Sequence, residues 1–163
     1  MKRQLILIGL PGSGKTTVGG LLAERLGLPF ADCDDLIQQA AGMTIPAIFV
    51  EKGEPWFRAL ESRLLAEQCA GPRQVIATGG GAVVAEENRK LLKNSGFVVF
   101  LDRDIRDIAQ CVGNRERPLL RTHTLAQLAE QRRSWYLDCA DAAVCGGTAE
   151  QLTEQIAELW RKR

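Results

Sequence analysis

No basic stripe, no long apolar run and no metal-ligand spacing occurs in this sequence of 163 residues. Lysine and arginine number 21 against 20 acidic residues, a formal net charge of +1. That balance argues against nucleic acid as the main partner. No apolar run approaches the roughly 20 residues of a membrane-spanning helix, so no membrane partner is expected. Met1-Lys2-Arg3-Gln4 leads straight into an apolar run, and no signal or transit peptide is expected. Cys33, Cys69, Cys111, Cys139 and Cys145 are odd in number, and none forms a C-x-x-C pair. This points to structural thiols in a reducing, cytoplasmic setting. His123 is the only histidine and reads as exposed, so a zinc site is not expected. Internal repeats, low-complexity segments and linkers are also missing. One domain over 1–163 with a real core remains.

What is present centres on Gly9-Leu10-Pro11-Gly12-Ser13-Gly14-Lys15-Thr16-Thr17, which fits the phosphate-loop pattern Gly-x-x-x-x-Gly-Lys-Ser/Thr. Leu5-Ile6-Leu7-Ile8 before it reads as a buried parallel strand. Val18, Leu21, Leu22 and Leu26 after it repeat at helical spacing. A chance match in a glycine-rich chain would lack that strand and helix. The glycines let successive backbone N–H groups turn inward toward a phosphate. The following helix adds the positive end of its dipole. Gly12, Ser13, Gly14, Lys15, Thr16 and Thr17 are therefore candidate nucleotide-binding residues. Lys15 is expected on the outer phosphates and Thr16 on Mg²⁺.

Further along, Pro29-Phe30-Ala31 predicts a short second strand. It delivers Asp32-Cys33-Asp34 at its C-terminal end, where open α/β sheets bind ligands. In extended backbone Asp32 and Asp34 would face the same way. Alternatively, one of them caps the helix read from Asp35. Gly42 ends that helix, and Thr44 caps the next. A longer helix spans about Trp56 to Cys69, with Phe57, Leu60, Leu64 and Leu65 on its apolar face. Arg58 lies near its start, where a cation is disfavoured. It either serves something outside the helix or is simply solvated. Gln74–Thr78 is the third strand and runs into Gly79-Gly80-Gly81. Many phosphate-loop proteins end the equivalent strand in a metal-holding aspartate. This one has none, which leaves Asp32 as the metal-side candidate beside Thr16. The glycines instead allow close backbone approach to a ligand.

Phe97–Leu101 is the fourth strand, with Asp102 or Asp104 as a cap for the next helix. Between Val112 and Thr124 periodicity is lost, and the arginine-bearing stretch is a candidate lid or a solvated loop. Leu125 to Tyr136 is helical, with Arg132 and Arg133 in its second half. Ala142–Cys145 is a fifth strand. Thr148 caps a last helix with Leu152, Ile156, Leu159 and Trp160 inward. The alternation predicts an α/β fold: one five-stranded parallel sheet covered on both faces, with a helical insertion at about 32–70.

Several motifs converge on one family, and the chain resembles the shikimate kinases over almost its full length. The carriers are Gly9 to Thr17, Asp32-Cys33-Asp34, and Gly53-Glu54-Pro55-Trp56-Phe57-Arg58 with Glu61. Gly79-Gly80-Gly81, Arg117-Pro118-Leu119-Leu120 and Arg132-x-x-x-Tyr136-x-x-x-Ala140 complete them. The resemblance implies a three-layer nucleoside-monophosphate-kinase-like fold and transfer of the ATP γ-phosphate, with Mg²⁺, to the 3-hydroxyl of shikimate in aromatic amino-acid biosynthesis. By resemblance Asp34, Arg58, Gly80 and Arg132 are shikimate contacts, flanked by Gly79 and Gly81. Asp32 is a metal-side carboxylate and Arg117 a lid arginine closing on ATP. A monomer is expected. Lys15, Asp34 and Arg117 are the catalytic candidates. The chemistry agrees: a carboxylate suits guanidinium forks, and a hydroxyl nucleophile suits a nearby aspartate.

Departures are Gly20, Gln38, the bulky Trp56, and the short uncharged turn Cys145-Gly146-Gly147-Thr148, where relatives often carry an adenine contact. No adenine-holding residue beyond Arg117 is assigned. A gluconate kinase shares the loop and length without the triple glycine. A non-catalytic nucleotide-binding module would be expected to lose Lys15, Asp34 or an arginine. A GTPase would need Asn-Lys-x-Asp, which does not occur.

Overall fold

The computed structural model describes residues 3–112 and 124–163. The apolar runs form β1 (Gln4–Ile8), β2 (Phe30–Asp32), β3 (Val75–Ala77), β4 (Gly96–Leu101) and β5 (Ala142–Val144). All pair in parallel, in the order β2-β3-β1-β4-β5. β1 is central, with Leu5 opposite Val75 on one side and Phe97 on the other.

Side chains alternate across a strand, so β1 feeds two cores. Leu5 and Leu7 pack with Val18 and Leu22 of α1 (Lys15–Leu26) and with Leu152, Ile156 and Trp160 of α8 (Ala149–Lys162). Ile6 and Ile8 face the opposite layer. There they meet Leu65 of α4 (Glu54–Ala70), Leu92 of α5 (Glu86–Ser95), and Leu128 and Tyr136 of α7 (Leu125–Cys139). Each such buried aliphatic chain contributes about 1.5–3 kcal/mol. Burial on both faces explains why β1 reads as an unbroken apolar run rather than an alternating one.

Between β2 and β3 the chain inserts α2 (Cys33–Ala41), α3 (Ile45–Glu51) and α4. Ile37, Ile48, Phe57, Leu60 and Leu64 give these helices a small core of their own. Phe49 packs on Phe57 at 4.8 Å between ring centres. Thr44 caps α3, and Thr124 and Thr148 make reciprocal capping boxes with Gln127 and Gln151. A side-chain cap of this kind is worth about 1 kcal/mol.

Several boundaries differ from the sequence reading, most by one or two residues. The long helix starts at Glu54 rather than Trp56, because Pro55 fits a first turn whose N–H would be unpaired anyway. α7 runs on to Cys139. β5 stops at Val144, which leaves Cys145 exposed in the turn. α6 (Ile105–Val112) follows β4. The candidate lid falls mostly on 113–123, so it, Arg117 and His123 lie outside the described residues. Among the described residues no helix is long and apolar enough to cross a membrane.

Candidate active site

β1 carries the phosphate loop at its C-terminal end. Gly12 and Gly14 hold φ of 80° and 97°, a region that strains any residue with a Cβ. Gly14 is the N-cap of α1 and no side chain caps that end, so the first N–H groups of the helix stay available to a ligand. Lys15 is 8% exposed. Its ammonium donates to the Gly9 carbonyl at 2.7 Å and the Leu10 carbonyl at 2.8 Å. The cation is thus held inside the loop that an anion would enter.

The Thr16 hydroxyl donates to Asp32 Oδ2 at 2.5 Å. Asp32 ends β2, and its other oxygen accepts from the N–H groups of Asp34 (2.9 Å) and Asp35 (3.3 Å). One carboxylate therefore caps α2 and faces the phosphate loop. The extended Asp-x-Asp geometry is corrected here: α2 begins at Cys33, so Asp34 sits in a helical first turn. Capping wins over extension because Asp32 satisfies N–H groups that would otherwise have no partner.

The triple glycine follows β3 and is enclosed by three different elements. A Cβ on Gly79 would lie 2.7 Å from Glu61 Oε2 and 3.0 Å from Asp34 Oδ1. One on Gly80 would lie 2.6 Å from Pro11 Cδ of the phosphate loop, and one on Gly81 would run into the Arg58 guanidinium. Gly80→Ala is accordingly expected to destabilise the protein by about 1–3 kcal/mol and to cut turnover sharply, since Pro11 has no room to yield. Thermal melts and a turnover assay on that variant check this.

The sequence leaves Arg58 either serving something outside its helix or solvated. It has a partner within that helix: Nη1 donates to Glu61 Oε1 at 2.8 Å, and Nε meets Glu54 at 3.4 Å. Glu61 is 2% exposed. Burial raises its pKa, and the neighbouring Arg58 charge opposes that rise. Arg132 is also buried, and its Nη1 has no hydrogen-bond partner among the described residues. It lies close enough to Glu61 and Tyr136 to favour the ionised form of each. The Tyr136 hydroxyl donates to the Gly80 carbonyl at 2.5 Å. Burial pushes that phenol up to about 12, so it keeps its proton and remains a donor. Arg133, the alternative to Arg132, forks onto Asp102 at 2.6 and 2.8 Å instead.

Asp34, Arg58, Arg132 and the three glycines thus gather around Glu61 and Tyr136, next to Pro11 of the phosphate loop. Sequence reasoning gave Glu61 and Tyr136 no role of their own. Glu61 did leave a signal: an acid on the apolar stripe of Phe57, Leu60, Leu64 and Leu65. Tyr136 served only as a spacing marker for Arg132.

A phosphate loop on the central strand of this parallel sheet, with a helical insertion between β2 and β3 beside it, is the architecture of a P-loop small-molecule kinase. The family model for shikimate kinase matches residues 11–161. A shikimate kinase from Symbiobacterium thermophilum is 44% identical, over 97% of this chain and 94% of that protein. Among solved structures, shikimate kinase from Acinetobacter baumannii in complex with shikimate superposes with a TM-score of 0.94 at 36% identity, over 99% of this chain and 94% of that one. Shikimate kinase from Aquifex aeolicus gives 0.86 at 36% identity, over 97% and 96%. The chain belongs to the shikimate kinase family.

Proposed function

We propose that the protein transfers the γ-phosphate of ATP to the 3-hydroxyl of shikimate, giving shikimate 3-phosphate and ADP. One observation carries the substrate half. Two guanidiniums from distant helices, Arg58 and Arg132, lie near Asp34 and Glu61 beside the phosphate loop, and a buried Arg132 nitrogen has no hydrogen-bond partner among the described residues. A small carboxylate would satisfy that nitrogen and gain a charge-assisted bond. The acid's hydroxyl face would then lie against Asp34 and Gly79–Gly81.

In the reaction the acceptor oxygen bonds to the γ-phosphorus as the bond from phosphorus to the β–γ bridging oxygen breaks. Asp34 orients the hydroxyl and receives its proton. Lys15 leaves its carbonyl partners for the phosphate oxygens and offsets the charge that builds there. Arg117 is assigned to the same charge from the sequence alone.

For the metal, Thr16 and Asp32 supply one hydroxyl and one carboxylate, and no cluster of three His, Cys, Asp or Glu occurs among the described residues. Such a sparse oxygen set fits Mg²⁺, which keeps waters and takes its remaining ligands from phosphates. Thr16 and Asp32 would hold it there, and it would neutralise charge on the β- and γ-phosphates. Cys33, Cys69, Cys139 and Cys145 are unpaired, in keeping with action in a reducing, cytoplasmic setting.

The test is ADP release measured with shikimate, with gluconate and with no acceptor. Turnover is expected with shikimate alone. Equal rates with gluconate, or release without any acceptor, would overturn the substrate assignment.

A further inference from the structure

The sequence assigned the nucleotide no contact beyond the phosphate loop and Arg117. The structure offers one at Arg103, between β4 and α6. Its guanidinium comes within 3.5 Å of the position a Cβ on Gly14 would occupy, at the glycine that caps the phosphate-binding end of α1. Arg103 is partly buried, and it lines a cavity of about 260 Å³ with Leu10 of the loop and Ile105 of α6.

Its local sequence explains why the guanidinium is available. Both neighbours are aspartates, yet each is engaged elsewhere. Asp102 gives both oxygens to Arg133. Asp104 caps the Arg106 N–H and forks with the Arg106 side chain. No hydrogen bond or ion pair holds Arg103 among the described residues. A partly buried cation without an anion, beside a loop built for anions, is a site waiting for charge.

Topology says which part of the nucleotide it meets. Most of the acceptor site (Asp34, Arg58 and the three glycines) comes from elements following β2 and β3, on one side of central β1. The transferred phosphate must therefore lie on that side of the loop. The rest of the nucleotide runs the opposite way, over the C-terminal ends of β4 and β5, which stay paired up to the Asp102 N–H and the Val144 carbonyl (2.8 Å). Arg103 stands at that end.

We infer that Arg103 is a further nucleotide-binding residue that grips the α-phosphate of ATP and positions it without touching the transferred group. The inference rests on the phosphate-loop reading. It separates ground-state binding from chemistry, so KM for ATP and not kcat is the quantity it governs.

Calorimetric titration of ADP, AMP and adenosine into wild type, Arg103→Ala, Arg103→Met and Arg103→Lys tests it. Methionine keeps the stem, so a folding defect in the alanine variant does not end the test. ADP and AMP are each expected to bind about tenfold or more weaker in the alanine and methionine variants, with partial recovery in lysine and no change for adenosine. KM for ATP should rise alike, with kcat and the KM for shikimate near wild type. ADP binding at wild-type strength overturns the inference. So does a loss confined to ADP, or an equal loss for adenosine. Lys15→Ala, titrated alongside, keeps the two readings apart. If it loses ADP while the Arg103 variants keep it, only Arg103 is misassigned. If it too keeps ADP, the phosphate-loop reading has failed.

Discussion

Lys15→Ala is expected to lower turnover at least about a thousandfold while the protein still folds. The argument starts from where the ammonium sits now. It is buried, and it donates to the loop's own Gly9 and Leu10 carbonyls and to the Ser13 hydroxyl. The loop's shape comes from its glycine dihedrals and the start of α1 rather than from the ammonium, so the fold should survive its loss. In the transition state the balance changes. Charge spreads over the transferred phosphoryl oxygens, and a cation already held in the loop has only to exchange its carbonyl partners for them. The loss should therefore appear in kcat, with the melting temperature within a few degrees of wild type. An unchanged kcat would remove Lys15 from the chemistry.

Why this half of the site was legible, and the acceptor half less so, has a physical basis. The phosphate loop is a local device: its glycine dihedrals, helix start and lysine lie within nine successive residues, and sequence records all of them. The same holds for the caps at Thr44 and Thr148, and for β1, whose apolar run reflects burial on both faces. The acceptor cleft is non-local. Asp34 comes from α2, Arg58 from α4, Arg132 from α7, and only folding brings them to the triple glycine. Sequence could mark these residues as chemically apt but could not show that Glu61 would claim Arg58, nor that Tyr136 would tie α7 to the Gly80 carbonyl. The Asp-x-Asp reading failed for a local reason instead. Strand periodicity was carried one residue too far, past the point where Asp32 turns the chain into α2. Arg103 left no pattern at all, because its meaning depends on two aspartates being occupied by other arginines.

Arg58→Ala is expected to raise the KM for shikimate by about tenfold to a hundredfold, the range for a lost charged hydrogen bond, and to leave the KM for ATP within about twofold. It should also destabilise the protein, because Glu61 is buried and Arg58 is the cation its oxygen accepts from. Removing one partner of a buried pair costs several kcal/mol, and with Arg58 itself 22% exposed about 2–3 kcal/mol is expected. The pH dependence has a definite sign. Burial already raises the Glu61 pKa against the Arg58 charge, so losing that charge raises it further. A carboxyl whose pKa is higher in the folded state stabilises the fold below its unfolded pKa and loses that contribution as pH rises through the folded value. The variant should therefore lose more melting temperature near about pH 8 than near about pH 5. Adding Glu61→Gln separates the two roles of Arg58. The double variant should regain most of the melting temperature and lose the pH slope, yet keep the high KM for shikimate. If the second substitution restored that KM, Arg58 would serve only to neutralise Glu61, and the carboxylate grip would fall to Arg132 alone.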